Sequence, residues 1–559
     1  MNRTKPILAV AISIAIAFFS SCSSTENDNG NGVSSSSDET LSSVSSSDGN
    51  LSSGGNSGGG NSCSGGNSSS SAGNSSGSNS SEASSSSNEE TQPSVSSNDG
   101  SSSSRVSSSS SRISSSSSAA AAVSSSSATT SSSSSSSSAG TPTSASSVDS
   151  GTKFTPEMLA LTPGATIAEL NLAWYSGREG TKTAVRLFNA SGTLVNTVTG
   201  TTGNATTGKS WHKAKLTNLT PSTQYKYSVS NDEQNWSHEY DYTTPPATGA
   251  WRFVAIADPQ IAAATATSYT SWAEVAKKIK ETENVTHVVC AGDQVDNMQG
   301  DEKEWEYFFA PGIFSNIPVA AIKGNHDPHW ANIGKFEWHF NLPNERSASS
   351  TDYKSKYNYY YLYNNVLFVG LNTGSLFDTD QLSTYNTVVN LFKTVITEAK
   401  AAHAGKYDWL IVVHHESTKS VSAHAEDVEV RNYREAGLET VMSEQKVDVV
   451  IAGHDHTYAR THPINGVVYL TLKAASNLKF YPVKKSLITS NIAAHSKGIE
   501  ITWNQENDYY QIGEKVIINS SDPEYTVIDV NGKTLNFDVC TWKSSGTKCG
   551  DTDKFTLTK

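Results

Sequence analysis

Apolar residues are distributed along this chain in three regimes. Met1 to Cys22 carries Arg3 and Lys5, then the unbroken run ILAVAISIAIAFF, then SSC. From Ser23 to about Ser150 apolar positions nearly vanish among Ser, Gly, Asn, Ala and Thr. Beyond Gly151 they return with regular spacing. Over residues 151–246 the segments are short and alternating: IAELNLAWYS (Ile167 to Ser176), TAVRLFNA (Thr183 to Ala190) and KYSVS (Lys226 to Ser230), separated by Gly, Asn, Thr and Pro. That pattern predicts an all-β sandwich. Over residues 247–559 the runs RFVAIA, HVVCA, IPVAAIK, LIVV and VDVVIA predict buried strands. Between them apolar residues recur at helical spacing: Trp272, Val275, Ala276 and Ile279 share one face, as do Leu382, Tyr385, Val389, Phe392 and Ile396. Strands alternating with such helices argue for sheets covered by helices. After about Lys497 β-like segments return, with Asn531-Gly532 as a hairpin turn.

Composition sharpens this outline. The 559 residues suffice for several domains, and the net charge of -13 argues against a nucleic-acid partner held by a basic surface. Residues 1–22 read as a secretory signal, too short for a comfortable membrane span. Cys22 resembles the lipidated cysteine of bacterial lipoproteins, with Phe19 where those usually have Leu; ordinary cleavage that discards Cys22 is the alternative. The expected location is the bacterial cell surface or outer membrane, through a lipid anchor and no spanning helix, or else the medium. Residues 23–150 have too few apolar groups to offset ordering entropy and read as a flexible tether, with Cys63 an odd thiol in it. Cys540 and Cys549, in an exported chain, are expected to form a disulfide, and Cys290 to be a buried apolar thiol.

The chemistry lies in five runs: ADPQ (Ala257 to Gln260), GDQVD (Gly292 to Asp296), GNHD (Gly324 to Asp327), VVHHES (Val412 to Ser417) and GHDH (Gly453 to His456). Each follows an apolar run, so Asp, Asn and His collect at the carboxyl ends of buried strands. Carboxylate, carboxamide and imidazole without thiolate suit Mn, Fe or Zn, and a pair of such ions would need one bridging carboxylate. Gly292, Gly324 and Gly453 read as permitting the tight turns that bring the ligands together.

These motifs, in this order, resemble the calcineurin-like metallophosphoesterases. With LTNLTPSTQYKYSVS (Leu216 to Ser230), similar to a fibronectin type III signature, the chain looks like the bacterial relatives of purple acid phosphatases. The resemblance implies an α/β sandwich of two mixed β-sheets flanked by helices, preceded by the all-β fibronectin type III-like sandwich, with metals at one sheet edge. It implies Asp293 as the bridging carboxylate. Asp258 and His456 would bind the first metal, with Gln260 in the place of the commoner ligand His. Asn325, His415 and His454 would bind the second. His326 would be a catalytic group touching the phosphate or the leaving oxygen, with Asp327 either orienting it or serving as a turn residue before Pro328. His424 would line the substrate pocket. His415 rather than His414 is the expected ligand, because His415 and the E-S-T-K-S that follows stand where relatives have H-x-S-x-x-S, and strand alternation lets only one of the two face the metals. Asp296, where purple acid phosphatases carry a tyrosinate, is expected to support the site from behind the ligands, direct ligation being the alternative, and one of Tyr458, Arg460 and Lys479 is a candidate for a phosphate contact.

The implied activity is hydrolysis of a small phosphate ester by metal-bound hydroxide, in the manner of an acid phosphatase. A phosphodiesterase or nucleotide hydrolase on the same centre is the nearest alternative. A surface-binding protein with a degenerate metal site, Gln260 being the first loss, is the alternative of another class.

Overall fold

The computed structural model describes residues 153–559, with breaks at 179–181, 207, 330–332, 349–351, 378, 462, 485–500, 505–508, 513–514 and 519–520. The expected signal (1–22) and tether (23–150), with Cys22 and Cys63, lie outside the described residues.

Between Glu157 and Thr243, short antiparallel strands form two four-stranded sheets. Period-two burial makes them a sandwich: in Lys209–Leu216, Ser210, His212, Ala214 and Leu216 are buried while the residues between them are more open. Leu161, Leu172, Trp174, Val185, Leu187, Tyr227 and Val229 fill the space between the sheets. Trp174 is thus a core residue, and the partly buried Trp211 packs against the next domain's core.

That next part holds two six-stranded mixed sheets. The first orders its strands Val319–Ala321, Val288–Cys290, Trp251–Ile256, Glu524–Asn531, Thr534–Thr541 and Lys548–Thr558. Its first three are parallel, and the last three are antiparallel hairpin neighbours. The second orders Tyr359–Tyr363, Val366–Gly370, Trp409–Glu416, Val449–Gly453, Val468–Thr471 and Ala459–Arg460, with its four middle strands parallel. Phe253, Ala255 and Val289 from one sheet and Phe368, Ile411 and Ile451 from the other share a single core. Helices Ala266–Thr282 and Glu302–Phe309 cover the outside of the first sheet through Trp272, Val275, Ile279 and Trp305. Helix Leu382–Ala402 covers the second through Tyr385, Val389, Phe392 and Ile396. Burial on both faces is why these strands read as unbroken apolar runs. Leu382, placed on the buried face by its spacing, is the first residue of its helix and is exposed.

The sandwich and the two-sheet part share core as well as chain. Met158, Ala160 and Tyr175 lie in the same cluster as Trp305 and Phe308. Polar ties reinforce it: Tyr227 Oη donates to Ser315 O (2.7 Å) and Asn171 Nδ2 to Asn341 O (2.8 Å). Near the carboxyl end, Gly532 turns the hairpin at positive φ, and Cys540 is disulfide-bonded to Cys549 on the neighbouring strand. Cys290 is a free, buried thiol.

Candidate metal centre

The five motifs converge where the two sheets meet. Asp258 and Gln260 follow strand Trp251–Ile256, Asp293 follows Val288–Cys290, and Asn325 and His326 follow Val319–Ala321. His415 comes from strand Trp409–Glu416, and His454 and His456 follow Val449–Gly453. Three strand ends of one sheet therefore face two of the other. The backbone is bent hard to achieve this. Asp258, Gln260, Asp293, His454 and His456 all have positive φ, between 39° and 72°, a conformation that costs a non-glycine residue of order 1 kcal/mol or more. Bonds between the loops hold it: Asp258 N donates to Gly292 O (3.1 Å), Gln260 N to Asp293 O (2.8 Å), and His454 N to Asp258 Oδ1 (3.0 Å). Two glycines make room. A Cβ on Gly292, itself at φ 97°, would lie 2.2 Å from His415 Nδ1, and one on Gly324 would lie 2.1 Å from Asp293 Oδ1.

The donor atoms form two triads, Asp258/Asp293/His456 and Asp293/His415/His454, each within 4.8 Å, and Asp293 belongs to both. His415 Nε2 lies 3.0 Å from Asn325 Oδ1 and 3.3 Å from Asp293 Oδ2; His454 Nδ1 lies 3.1 Å from Asn325 Oδ1 and 3.3 Å from His415 Nε2. Donors bound about 2.1 Å from a common ion stand about 3.0 to 3.4 Å apart, so this set fits a metal. His456 Nε2 is 3.5 Å from Asp258 Oδ1 on the other side. The remaining nitrogens of two rings are fixed by carbonyls, His415 Nδ1 on Ala291 O (2.8 Å) and His456 Nδ1 on Lys479 O (3.2 Å), which aims each Nε2 inward. Gln260 Oε1 is buried without a partner, a carboxamide oxygen still available to a ligand.

Burial of so many acids needs opposite charge. It pushes the Asp258 carboxyl well above its ordinary range. It opposes ionisation of Asp293 too, but His415 and His326 beside that carboxylate hold it well below. His415, in turn, is kept well above its usual value against burial, chiefly by Asp293. Burial lowers His454 far below the histidine range and His456 to about 3, leaving both as neutral imidazoles with lone pairs to give.

His415, not His414, faces the centre. Simple alternation is not the cause: Val413 pairs with Ile451 but Glu416 with Gly453, so the strand carries an extra residue at this point. Such a bulge re-aims side chains. His414 is buried with neither ring nitrogen partnered, and burial lowers it to about 3.

Asp327 does not orient His326, contrary to one of the two roles expected of it. Its carboxylate accepts from Gly324 N (2.8 Å) and Gln294 N (2.9 Å), tying the GNHD turn to the GDQVD loop, and it is fully buried. His326 is held instead through Nδ1 by the Asp296 carbonyl, with the Asp296 carboxylate 3.5 Å away. Asp296 also pairs with Lys479 Nζ at 2.7 Å, so Lys479 stands beside the centre. Tyr458 and Arg460 point elsewhere, both to Asp553. His424 lies against His454, ring centroids 4.3 Å apart, with Nδ1 2.6 Å from Asp427 Oδ2. Three supports carried no readable signal. Thr373 Oγ1 accepts from His415 N and Glu416 N; Glu304 accepts from Ala263, Asp296 and Asn297 N; Asp455 accepts from Val421, Ser422 and His424 N.

Residues 252–458 match the calcineurin-like phosphoesterase family, and residues 156–244 match the purple acid phosphatase N-terminal domain. A protein named probable inactive purple acid phosphatase 1, from Arabidopsis thaliana, is 25% identical over an alignment of 347 residues, and the match covers 54% of this chain and 52% of that protein. The chain thus spans about half the length of that relative. The solved purple acid phosphatase PPD1 from yellow lupin (Lupinus luteus) seeds has a TM-score of 0.54 at 18% identity, covering 72% of this chain and 74% of that one; the likeness is one of fold.

Proposed function

We propose, from the premise that the chain carries a calcineurin-like phosphoesterase domain behind a purple acid phosphatase N-terminal domain, that it hydrolyses phosphate esters, monoesters first, at a dinuclear metal centre. The observation that carries this reading is the sharing of Asp293 between two donor triads. Asp258, Asp293 and His456, with the Gln260 oxygen, would hold one ion; Asp293, Asn325, His415 and His454 would hold the other. Such ions, when bound, supply Lewis acidity toward the phosphoryl oxygens and a nucleophilic water at mild pH.

The chain's own residues do the positioning. His326, anchored through Nδ1 on the Asp296 carbonyl, leaves Nε2 for a phosphate oxygen or for protonation of the leaving alkoxide. Lys479 keeps the Asp296 carboxylate paired, so that a negative substrate does not meet an uncompensated acid beside His326. A second reading, a surface-binding protein whose centre has decayed, draws support from Gln260 in a ligand His position and from the relative named as inactive. Loading the protein with Mn, Fe or Zn and assaying an aryl phosphate and the corresponding diester separates the two. Metal-dependent turnover, faster on the monoester, is expected; a protein that retains no metal and hydrolyses neither would favour the binding role.

A further inference from the structure

Glu304 is a carboxylate in an apolar neighbourhood. It is 4% exposed, and its helix, Glu302–Phe309, also sends Trp305 and Phe308 into the core. Its oxygens take backbone protons from two loops. Oε1 accepts from Ala263 N (3.1 Å), on the loop that follows Gln260, and Oε2 accepts from Asp296 N (3.1 Å) and Asn297 N (2.8 Å). Asp296 N has a second acceptor in Ile261 O (3.0 Å), so the bond from Asn297 N is the one that most depends on Glu304. A carboxylate, with an acceptor at each oxygen and no proton of its own, is the side chain that can take all three amides.

Asn297 N and Asp296 O belong to one peptide group. In a trans peptide the N–H and the C=O point in opposite directions within one plane. Here the N–H goes to Glu304 and the C=O receives His326 Nδ1. A carbonyl only accepts, so Nδ1 carries the proton and Nε2 is the ring atom left for the substrate. The plane of this peptide therefore sets where the imidazole stands, and a negative charge on its N–H side strengthens its carbonyl as an acceptor. The Asp296 side chain is engaged separately: Oδ1 lies 2.7 Å from Lys479 Nζ and 3.5 Å from the same ring nitrogen.

We infer that Glu304 is a positioning residue for His326, acting through the peptide group between Asp296 and Asn297 and touching neither metal nor substrate. Without its acceptor, that peptide is free to rotate about its flanking bonds, and the His326 ring turns with the carbonyl that holds it. The metal ligands are anchored by other bonds, Asp258 and Gln260 through Gly292 O and Asp293 O. Loss of Glu304 therefore falls on proton transfer more than on metal binding. It falls hardest on esters whose leaving oxygen needs a proton, an alkoxide before an aryl oxide. The inference rests on the role given to His326 above.

The test is a double-mutant cycle on the metal-loaded full chain, with Glu304→Met, Glu304→Gln and His326→Ala read on an alkyl phosphate and an aryl phosphate. Glu304→Met, which removes both acceptor oxygens, is expected to keep its metal and to lower kcat on the alkyl ester about 10- to 100-fold, up to the cost of a displacement near 1 Å, and less on the aryl ester. Glu304→Gln, with one acceptor oxygen, should recover part of that loss, and it carries the same test if Glu304→Met does not fold. In the His326→Ala background neither substitution should slow turnover further. Equal slowing with and without His326, equal slowing on both esters, or loss of metal from Glu304→Gln would overturn the inference, since each is what a general loosening of the loops would give. Wild-type turnover by His326→Ala alone would instead remove the role of His326, and the positioning role with it.

Discussion

Asp293 carries the most weight of any single side chain. Its carboxylate belongs to both donor triads and also accepts His326 N at 2.8 Å. Asp293→Ala should therefore lose bound metal together with hydrolysis. His326→Ala should keep its metal and lose turnover by about 10²- to 10⁴-fold, the usual range for removing a proton-transferring group. Metal analysis and kcat on the same preparations check this division, and equal metal loss in the two variants would refute it. Gly292→Ala places a methyl 2.2 Å from His415 Nδ1 at φ 97°. A stability loss of roughly 2 kcal/mol or more, measured by urea unfolding, and weakened metal retention are expected. At this scale the residues that gather at the centre were legible, because five motifs each place Asp, Asn or His at the end of a buried strand. Their orientations were not. Asp327 is committed to the amides of Gly324 and Gln294, and the second lies on another motif. The choice of His415 depends on a bulge set by the partner strand, which local sequence does not encode.

Elements differ in what reports them. The apolar runs and the faces of helices Ala266–Thr282 and Leu382–Ala402 were readable because burial on one or both sides leaves a periodic trace. The sheet order was not. Strand Glu524–Asn531 inserts beside Trp251–Ile256 from the far end of the chain, and no local pattern marks that pairing. One consequence of this packing is acid sensitivity. His287, just before strand Val288–Cys290, is fully buried between Phe253 and Phe368, bonded to Thr286 and Tyr361, and burial lowers it to about 3. The unfolded chain takes up this proton near the ordinary value of about 6.5. Between those limits the unfolded state binds more protons, so stability is full above about pH 6.5 and is lost as pH falls toward 3, by up to about 1.4 kcal/mol per pH unit from this one group. His287→Gln should flatten the fall of Tm with acidity across that window; an unchanged slope would show that His287 is not the titrating group.

At the scale of the whole molecule, the sandwich does more than precede the metal centre. Met158, Ala160 and Tyr175 lie in the core that also holds Trp272, Trp305 and Phe308. Helix Glu302–Phe309 belongs to that core and carries Glu304, whose carboxylate clamps the loop that follows Gln260 to the loop that carries Asp296. Damage to the sandwich should therefore reach the site. The described residues from 153 onward belong to one compact unit, and a single cooperative thermal transition is expected for it, with Ala160→Asp lowering Tm and metal retention together. Two separate calorimetric transitions, or a site indifferent to Ala160→Asp, would contradict a shared core.

The most direct measurement is anomalous diffraction from crystals of the protein loaded with zinc or manganese. Two peaks on either side of the Asp293 carboxylate, about 3.5 to 4 Å apart, are predicted, one in reach of Asp258 and His456 and the other of Asn325, His415 and His454. A single peak, or none touching Asp293, would contradict the account.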